Sequence, residues 1–213
     1  MDSTRTIFDD VRQADARTLP AGAYQAEFAE EFDRAPGVVW KLERAQEFHE
    51  PEVPSWRAMM AGDWERSLAL IAEMREPLTG YYRTHPETRR LRVVETPLSP
   101  YLQWELRVLA VRAAAGERPR VLPAGAIREF ERTAPLPEIV VVGPSLLYEV
   151  LYDEIGEHVG ARRVTDPRLA GRCRTAIGTL YERAEDVRSY VEREVLPLPP
   201  PAVSSRSRGT FRR

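Results

Sequence analysis

The 213-residue sequence contains a single cysteine, Cys173, a single lysine, Lys41, and no asparagine. A lone cysteine cannot form a disulfide within the chain or join a cysteine cluster around zinc or iron–sulfur, which indicates a reducing compartment. The three histidines, His49, His85 and His158, have no second histidine or cysteine at the spacing of metal ligands. We therefore expect no metal site and no cofactor.

Long hydrophobic runs are missing as well. Segment 139–142 is among the longest apolar runs, whereas a membrane helix needs about 20 apolar residues. The first residues also lack the basic and apolar regions of a secretory signal. These features predict a cytoplasmic protein without membrane contact. The motifs G-x-S-x-G, G-x-x-x-x-G-K-[ST], G-x-G-x-x-G and H-E-x-x-H are absent, so the usual sequence evidence for a hydrolase or a nucleotide-binding enzyme is lacking.

The composition is typical of a folded globular domain, with 43% hydrophobic residues, 30% charged residues and a formal net charge of -2. All but one of the 31 basic residues are arginine, a bias that fits a GC-rich coding sequence. The arginines are therefore weak evidence for nucleic-acid binding. An isoelectric point near 6.0 also argues against direct binding of nucleic acid.

The periodicity of apolar residues predicts an α+β fold with a single mixed β-sheet covered by helices, in the order β-αα-β-α-β-β-β-β-α. Strands are predicted over 38–43, 90–95, 119–123, 138–143, 146–152 and 160–164. Asp166 and Pro167 are typical of a helix start, and apolar residues from Leu169 to Val195 recur at spacings of four and three. They predict one long C-terminal helix, for which a homodimer face is an alternative role.

Three regions follow from this pattern. Residues 1–36 are predicted to form an acidic helical N-terminal extension, and residues 37–196 a single α/β globular domain. Residues 197–213 are rich in proline, then in arginine, and are predicted to be a disordered tail.

Two charged clusters are candidate sites. Asp153 and Glu154, together with Glu157 and His158, follow a predicted strand, where acid–base groups can face a cleft. The alternative is a solvated turn. Arg90, Arg92 and Arg120 lie on two segments that can be adjacent strands and can form a basic patch. The alternative is a solvated strand end that faces acidic helices.

Trp104, together with Trp56 and Trp64, is a candidate contact residue for a protein partner. All three tryptophans fall on the apolar faces of predicted helices, so the alternative is a role in the core.

Residues 90–106, RLRVVETPLSPYLQWEL, resemble a block found in a large uncharacterised actinomycete family, which reads roughly R-V-R-V-V-S-E-P-L-S-D-Y-L-R-F-E-L. Residues 115–123, AGERPRVLP, are similar to the family's A-G-E-x-x-R-V-L-P turn and strand. Segments 39–43 and 60–63 and the Asp166-Pro167 pair also match, so the resemblance covers about residues 38–194. Members of that family tend to lie beside helix-turn-helix regulators of the Xre type. The resemblance therefore implies a regulatory or partner-binding role.

The order of the elements is also similar to one half of a phospholipase D-like domain. That chemistry needs a histidine nucleophile two residues before a lysine. Lys41 is the only lysine and Val39 stands two residues before it, which excludes an active enzyme of this type.

Three functions remain open. The first is a non-enzymatic regulatory protein that docks a partner, with a helix-turn-helix transcription regulator as the suspected partner. The second is a small-molecule sensor or an enzyme with a cleft at the strand ends, near Asp153, Glu154 and Arg92. The third is direct nucleic-acid binding through Arg90, Arg92 and Arg120. An exposed apolar patch favours the first, whereas a pocket of convergent polar groups with shifted pKa values favours the second.

Overall fold

The computed structural model describes residues 5–202. Their strands are β1 (Arg17–Pro20), β2 (Val39–Glu43), β3 (Thr88–Val94), β4 (Arg118–Pro123), β5 (Glu138–Val142), β6 (Leu146–Tyr152), β7 (His158–Val164) and β8 (Glu185–Asp186). The helices are α1 (Ile7–Gln13), α2 (Ala21–Asp33), α3 (Pro54–Met60), α4 (Trp64–Glu73), α5 (Arg75–Thr84), α6 (Pro100–Ala115), α7 (Pro167–Glu182) and α8 (Val187–Tyr190). A 3-10 turn (Ala124–Ile127) and a π-helical turn (Val191–Val195) complete the elements. No helix in this part of the chain has the length and apolar character to span a membrane.

All eight strands form one mixed sheet in the order β1-β7-β6-β5-β2-β3-β4-β8. Strands β2, β3 and β4 are parallel, and helices connect them, as parallel neighbours require. Strands β5, β6 and β7 form an antiparallel meander, in which β5 pairs with β2. The predicted α+β fold, with one mixed sheet covered by helices and a helix at the C-terminal end, is confirmed.

The two faces of the sheet are covered differently. On the first face, α1 and α7 pack over a single core that includes Leu42, Leu91 and Ile177. The second face has separate apolar clusters, one under α2 on β5–β7 and others around α6, α3 and α8. Between these clusters, β2 and β3 direct polar side chains to the second face. The candidate functional site lies in this gap between the clusters.

The N-terminal segment contributes to the sheet and to its core. Thr6 caps α1, and Phe8 and Val11 are fully buried in the core of the first face. Strand β1 pairs with β7 as an edge strand, and Gly160 permits the close approach because a Cβ there would collide with the carbonyl oxygen of Leu19. The described part of the predicted extension, residues 5–36, is therefore packed against the rest of the domain.

The prediction of one helix from Asp166 to Val195 is wrong, because α7 ends at Glu182. Residues 185 and 186 then pair with β4 as the edge strand β8. The Asp186 carboxylate accepts hydrogen bonds from the backbone N–H groups of Arg188 and Ser189 and starts α8. The valines of α8 and the π-helical turn consequently pack against α6. Of the predicted tail over 197–213, residues 203–213 lie outside the described residues.

Replacing Phe8 with alanine tests the role of the N-terminal segment. Phe8 is fully buried and its ring packs edge-on against Phe130 at 5.6 Å between centroids, so we expect the free energy of unfolding to fall by about 3–5 kcal/mol. Urea unfolding measures it. The matched control is Gln13→Ala, at an exposed position of the same helix, which we expect to change stability by less than about 0.5 kcal/mol. Equal stability of both variants would show that this segment lies outside the core.

Candidate functional site

A cavity of about 300 Å³ opens on the second face of the sheet, between α2 and the loop that joins β2 to α3. Strands β2, β5 and β6 form its floor, and α2 and the loop form its walls. The side chains used below are Phe28, Lys41, Glu43, Glu50, Glu138 and Tyr152, all of which line the cavity.

The alternation of β2 determines which side chains reach the cavity. Trp40 and Leu42 join the core of the first face, so Lys41 and Glu43 lie on the second face. Lys41 pairs in register with Val140 of antiparallel β5, and continuing this register by two residues sets Glu43 opposite Glu138. Two carboxyl groups thus face each other across neighbouring strands at the floor of the cavity.

Burial and repulsion shift the pKa of Glu138. Burial raises its pKa to about 7, and the nearby charge of Glu43 contributes, although the N–H groups of Ala45 and Arg44 act in the opposite direction. These N–H groups donate to Oε1 of Glu138 at 2.6 and 3.0 Å. The side chain is therefore fixed in place and close to half-protonated at neutral pH.

Glu50 is a second carboxyl group with a shifted pKa, on the loop wall. Burial raises its pKa to about 7, although the Tyr101 hydroxyl donates a hydrogen bond to Oε1 at 2.8 Å and opposes the shift. The charges of Glu105, Glu43 and Glu52 raise the pKa further. The cavity therefore holds two carboxyl groups that change protonation state near neutral pH.

Lys41 is the basic group of the floor. Burial lowers its pKa to about 8, and Arg90 on the adjacent strand lowers it further, whereas Glu117 and Glu43 act in the opposite direction. Its Nζ lies 5.4 Å from the centre of the Phe28 ring. Among residues 5–202, Lys41 makes no side-chain hydrogen bond and no ion pair.

Several polar atoms beside the cavity are buried without a hydrogen-bond partner among the described residues. They include Oε2 of Glu43, Nδ1 of His49 and Nη2 of Arg92. Buried polar groups are nearly always hydrogen-bonded, so each such atom calls for an explanation. Glu43 and His49 line the cavity, where a bound molecule can supply hydrogen bonds.

The predicted arginine patch is divided between the two faces of the sheet. Strands β3 and β4 are adjacent, as predicted. Arg90 and Arg92 are buried on the second face, where Arg92 donates to Glu105 at 2.7 Å. Arg120 lies on the first face, with its guanidinium 4.5 Å from the ring centre of Tyr181. The three arginines do not form a common surface.

Of the other predicted site residues, His158 lines the cavity, whereas Asp153, Glu154, Glu157 and Trp104 lie outside it. Asp153 accepts hydrogen bonds from the N–H groups of Ile155 and Glu157, at 3.0 and 2.8 Å, and stabilises the turn from β6 to β7. Glu154 is exposed in the same turn. Trp104 is buried and its indole N–H donates to Oγ of Ser55 at 3.3 Å, which is a core position.

Apart from His158, the residues that line the cavity were not among the sequence candidates. One signal was present in VWKLE, the β2 sequence, because Lys41 and Glu43 put charges on a strand that helices flank on both sides. Strands buried on both faces are usually apolar throughout. The contribution of Glu50 and Glu138 depends on a loop conformation and a strand register, which local patterns do not reveal. In the described chain, no group of three or more His, Cys, Asp or Glu side chains is placed to hold a metal ion.

The raised pKa of Glu138 predicts a pH-dependent effect of Glu138→Gln. A carboxyl group whose pKa rises from 4.5 to about 7 on folding lowers the free energy of unfolding at pH values above 7. This destabilisation decreases as the pH falls and disappears near pH 4.5. Relative to the original chain, we expect Glu138→Gln to be more stable by about 1–3 kcal/mol at pH 8 and not more stable at pH 5. The amide oxygen still accepts the hydrogen bonds that Ala45 and Arg44 donate to Oε1, whereas the contact between the N–H of Arg44 and Oε2, at 3.1 Å, is lost.

Urea unfolding at both pH values measures this difference. Glu154→Gln, in the exposed turn, serves as the control and should change stability by less than about 0.5 kcal/mol at either pH. A destabilising effect of Glu138→Gln at pH 8 would contradict the assignment.

Comparison with solved structures finds weak similarity to a phospholipase D family member, Nuc from Salmonella typhimurium, with a TM-score of 0.47 and 10% identity. This match covers 81% of the present chain and 97% of the other. TrmBL2, an archaeal chromatin protein described with a novel mode of DNA binding, matches with a TM-score of 0.39 and 11% identity, over 83% of the present chain and 58% of its own. These values carry no conclusion about activity.

No curated protein matches the sequence. A family match covers residues 26–192, which include α6, the central strands and the whole floor of the cavity. The chain therefore belongs to the family described as Domain of unknown function (DUF6879).

Proposed function

We propose that this domain is a cytoplasmic sensor that binds a small polar molecule in the cavity between α2 and the β2–α3 loop. The observation that carries the proposal is the convergence of Lys41, Glu43, Glu50 and Glu138 on one cavity. Shifted pKa values near neutral pH are typical of groups at functional sites.

The size and the lining of the cavity determine which class of ligand fits. A volume of about 300 Å³ is at the lower end of the range for small-molecule sites, so the ligand is a small metabolite. The carboxyl groups that line the cavity can accept hydrogen bonds from N–H or O–H groups of a ligand. The rings of Phe48 and Tyr152, with centroids 4.4 Å apart, add an aromatic wall. The fitting class is a small molecule with hydrogen-bond donors and an apolar side.

Sensing, as opposed to turnover, is proposed for two reasons. The phospholipase D-type pair is missing, because Val39 occupies the position of the histidine. The cavity also lies between apolar clusters that pack separately on the same sheet face. A ligand that contacts both α2 and the loop bridges these two clusters. Binding of the ligand then changes how α2 packs against the sheet.

Ligand binding should depend on Glu50. We expect some members of a panel of small amines, polyols, oxo compounds and amino acids to raise the melting temperature of the full chain. Glu50→Gln should weaken the binding of such a ligand about 10-fold to 100-fold, because it removes a charged acceptor from the wall. Calorimetric titration measures the dissociation constants.

Glu154→Gln is the matched control, because this exposed carboxylate lies outside the cavity, and its binding should equal that of the original chain. Circular dichroism of both variants establishes that they are folded. If no compound binds the original chain, or if every ligand binds Glu50→Gln with unchanged affinity, the proposal is wrong.

A second candidate function is the docking of a protein partner, and an apolar groove favours it. The groove lies between α4, α6 and the π-helical turn, where Leu196 is 51% exposed. Arg107 lies at the groove with its Nε buried and unpaired in the described chain. Partial burial lowers the pKa of Arg107, and a carboxylate from a partner would supply a hydrogen-bond acceptor for this half-buried guanidinium. The proposed occupant is a segment of a helix-turn-helix regulator with apolar side chains beside an acidic residue.

Leu196→Glu tests this docking surface. An added carboxylate in the groove should reduce the affinity for a helix-turn-helix regulator of the Xre type at least 10-fold, measured by calorimetry with the two purified proteins. Ile155→Glu, at an exposed position in the β6–β7 turn, should leave that affinity unchanged. No binding by the original chain, or equal binding by Leu196→Glu, would exclude this groove as the docking surface.

A further inference from the structure

Lys41 occupies an unusual position for a lysine. It is the only lysine in the chain, and it projects from a central strand into the cavity, close to the face of the Phe28 ring. Lys41 is half-buried and partly desolvated, yet it makes no ion pair with any described residue. The position therefore calls for an explanation other than stability.

The surroundings of Lys41 favour the neutral amine. Arg90 is its register partner on parallel β3 and lies on the same sheet face, so two basic groups are neighbours. Their shared acidic neighbours, Glu43 and Glu117, are hydrogen-bonded to Arg90. With a pKa of about 8, roughly one Lys41 amine in ten is neutral at pH 7, compared with fewer than one in a thousand for an ordinary lysine. Burial next to another cation is a known way to activate a lysine amine.

We propose that Lys41 forms an imine with a small aldehyde or ketone held in the cavity. This inference rests on the proposed function, because it assigns a chemical class to the ligand of the same cavity. Phe28 and Tyr152 provide the apolar surface for the carbon skeleton of such a ligand, and the carboxyl groups provide acceptors for its hydroxyl groups.

The reaction balances without an oxidant or a reductant. The neutral Nζ of Lys41 attacks the carbonyl carbon, a C–N bond forms, and a proton moves from nitrogen to the carbonyl oxygen to give a carbinolamine. A second proton on that hydroxyl group lets it leave as water, and the nitrogen lone pair forms the C=N bond of the iminium ion. Glu138 on the neighbouring strand is available as the donor of the second proton, because its pKa of about 7 keeps it partly protonated.

Reductive trapping of the full, unmodified chain tests the inference. The protein is treated at pH 7 with propionaldehyde and sodium cyanoborohydride, and the adducts are located by peptide mass spectrometry. The α-amino group of the chain is the internal reference, because its ordinary pKa is about 7.7–8.0. We expect an adduct on Lys41 at a rate within 10-fold of the α-amino rate or faster. A Lys41 rate at least 100-fold slower, as for an ordinary lysine, or the absence of an adduct would overturn the inference.

Two variants separate the possible failures. Glu138→Gln should slow the Lys41 adduct at least 10-fold and leave the α-amino rate unchanged, whereas Glu154→Gln should change neither. Lys41→Met should abolish trapping within the cavity. If a panel ligand binds Lys41→Met and the original chain equally and Lys41 is not trapped, the imine is excluded while the proposed binding function stands. If no ligand binds and no adduct forms, both are excluded. Trapping on the original chain needs no variant, so it decides the question even if Lys41→Met does not fold.

Discussion

The buried guanidinium of Arg90 is the interaction on which the second face of the sheet depends. It donates to Glu43 on β2 and, at 2.7 Å, to Glu117, the residue before β4, so one side chain on β3 joins three parallel strands. Burial acts to raise the pKa of Glu117, but Arg90 and Arg112 outweigh it and hold this pKa at about 2. Such buried charges stabilise a fold only as a complete set, since loss of one leaves another unpaired. The relative alignment of β2, β3 and β4 therefore depends on these buried ion pairs.

The same interaction shapes the cavity. Arg90 is hydrogen-bonded to Glu43 and Glu117, the two acidic groups that act to raise the pKa of Lys41, and the lysine has no ion-pair partner among the described residues. Glu43 faces Glu138 across β2 and β5, which contributes to the raised pKa of Glu138. The ion pairs between β2 and β3 thus leave neighbouring side chains of β2 and β5 without a complete set of partners. These side chains line the cavity.

The local patterns of the sequence identified most elements but not their long-range pairing. The sequence correctly predicts the helix cap at Asp166 and the three strands of the β5–β7 meander, because both depend on neighbours in sequence. The end of α7 was missed because β8 forms only by pairing with β4, from a distant segment. Phe8 and Val11 were assigned to an extension because their burial depends on α7, which lies at the other end of the chain.

The candidate site was harder to predict for the same reason. Arg90 and Arg92 were singled out as charged strand residues, and they lie on the face that holds the cavity, but their guanidinium groups are buried in ion pairs. The residues that line the cavity come from a helix, a loop and four strands, and only the sheet order brings them together. The candidate site arises from the topology, whereas the single-segment patterns predict the secondary structure.

The ends of the sheet have a consequence for self-association. Both edge strands are very short, since β1 has four residues, the last of them a proline, and β8 has two. Short edges and prolines prevent a sheet from recruiting strands of other chains, which is how amyloid-like stacking begins. The family match begins at residue 26 and leaves out β1. A chain trimmed to that match would expose the edge of the seven-residue strand β7 that β1 covers. The N-terminal segment therefore covers an edge at which strands of other chains could pair.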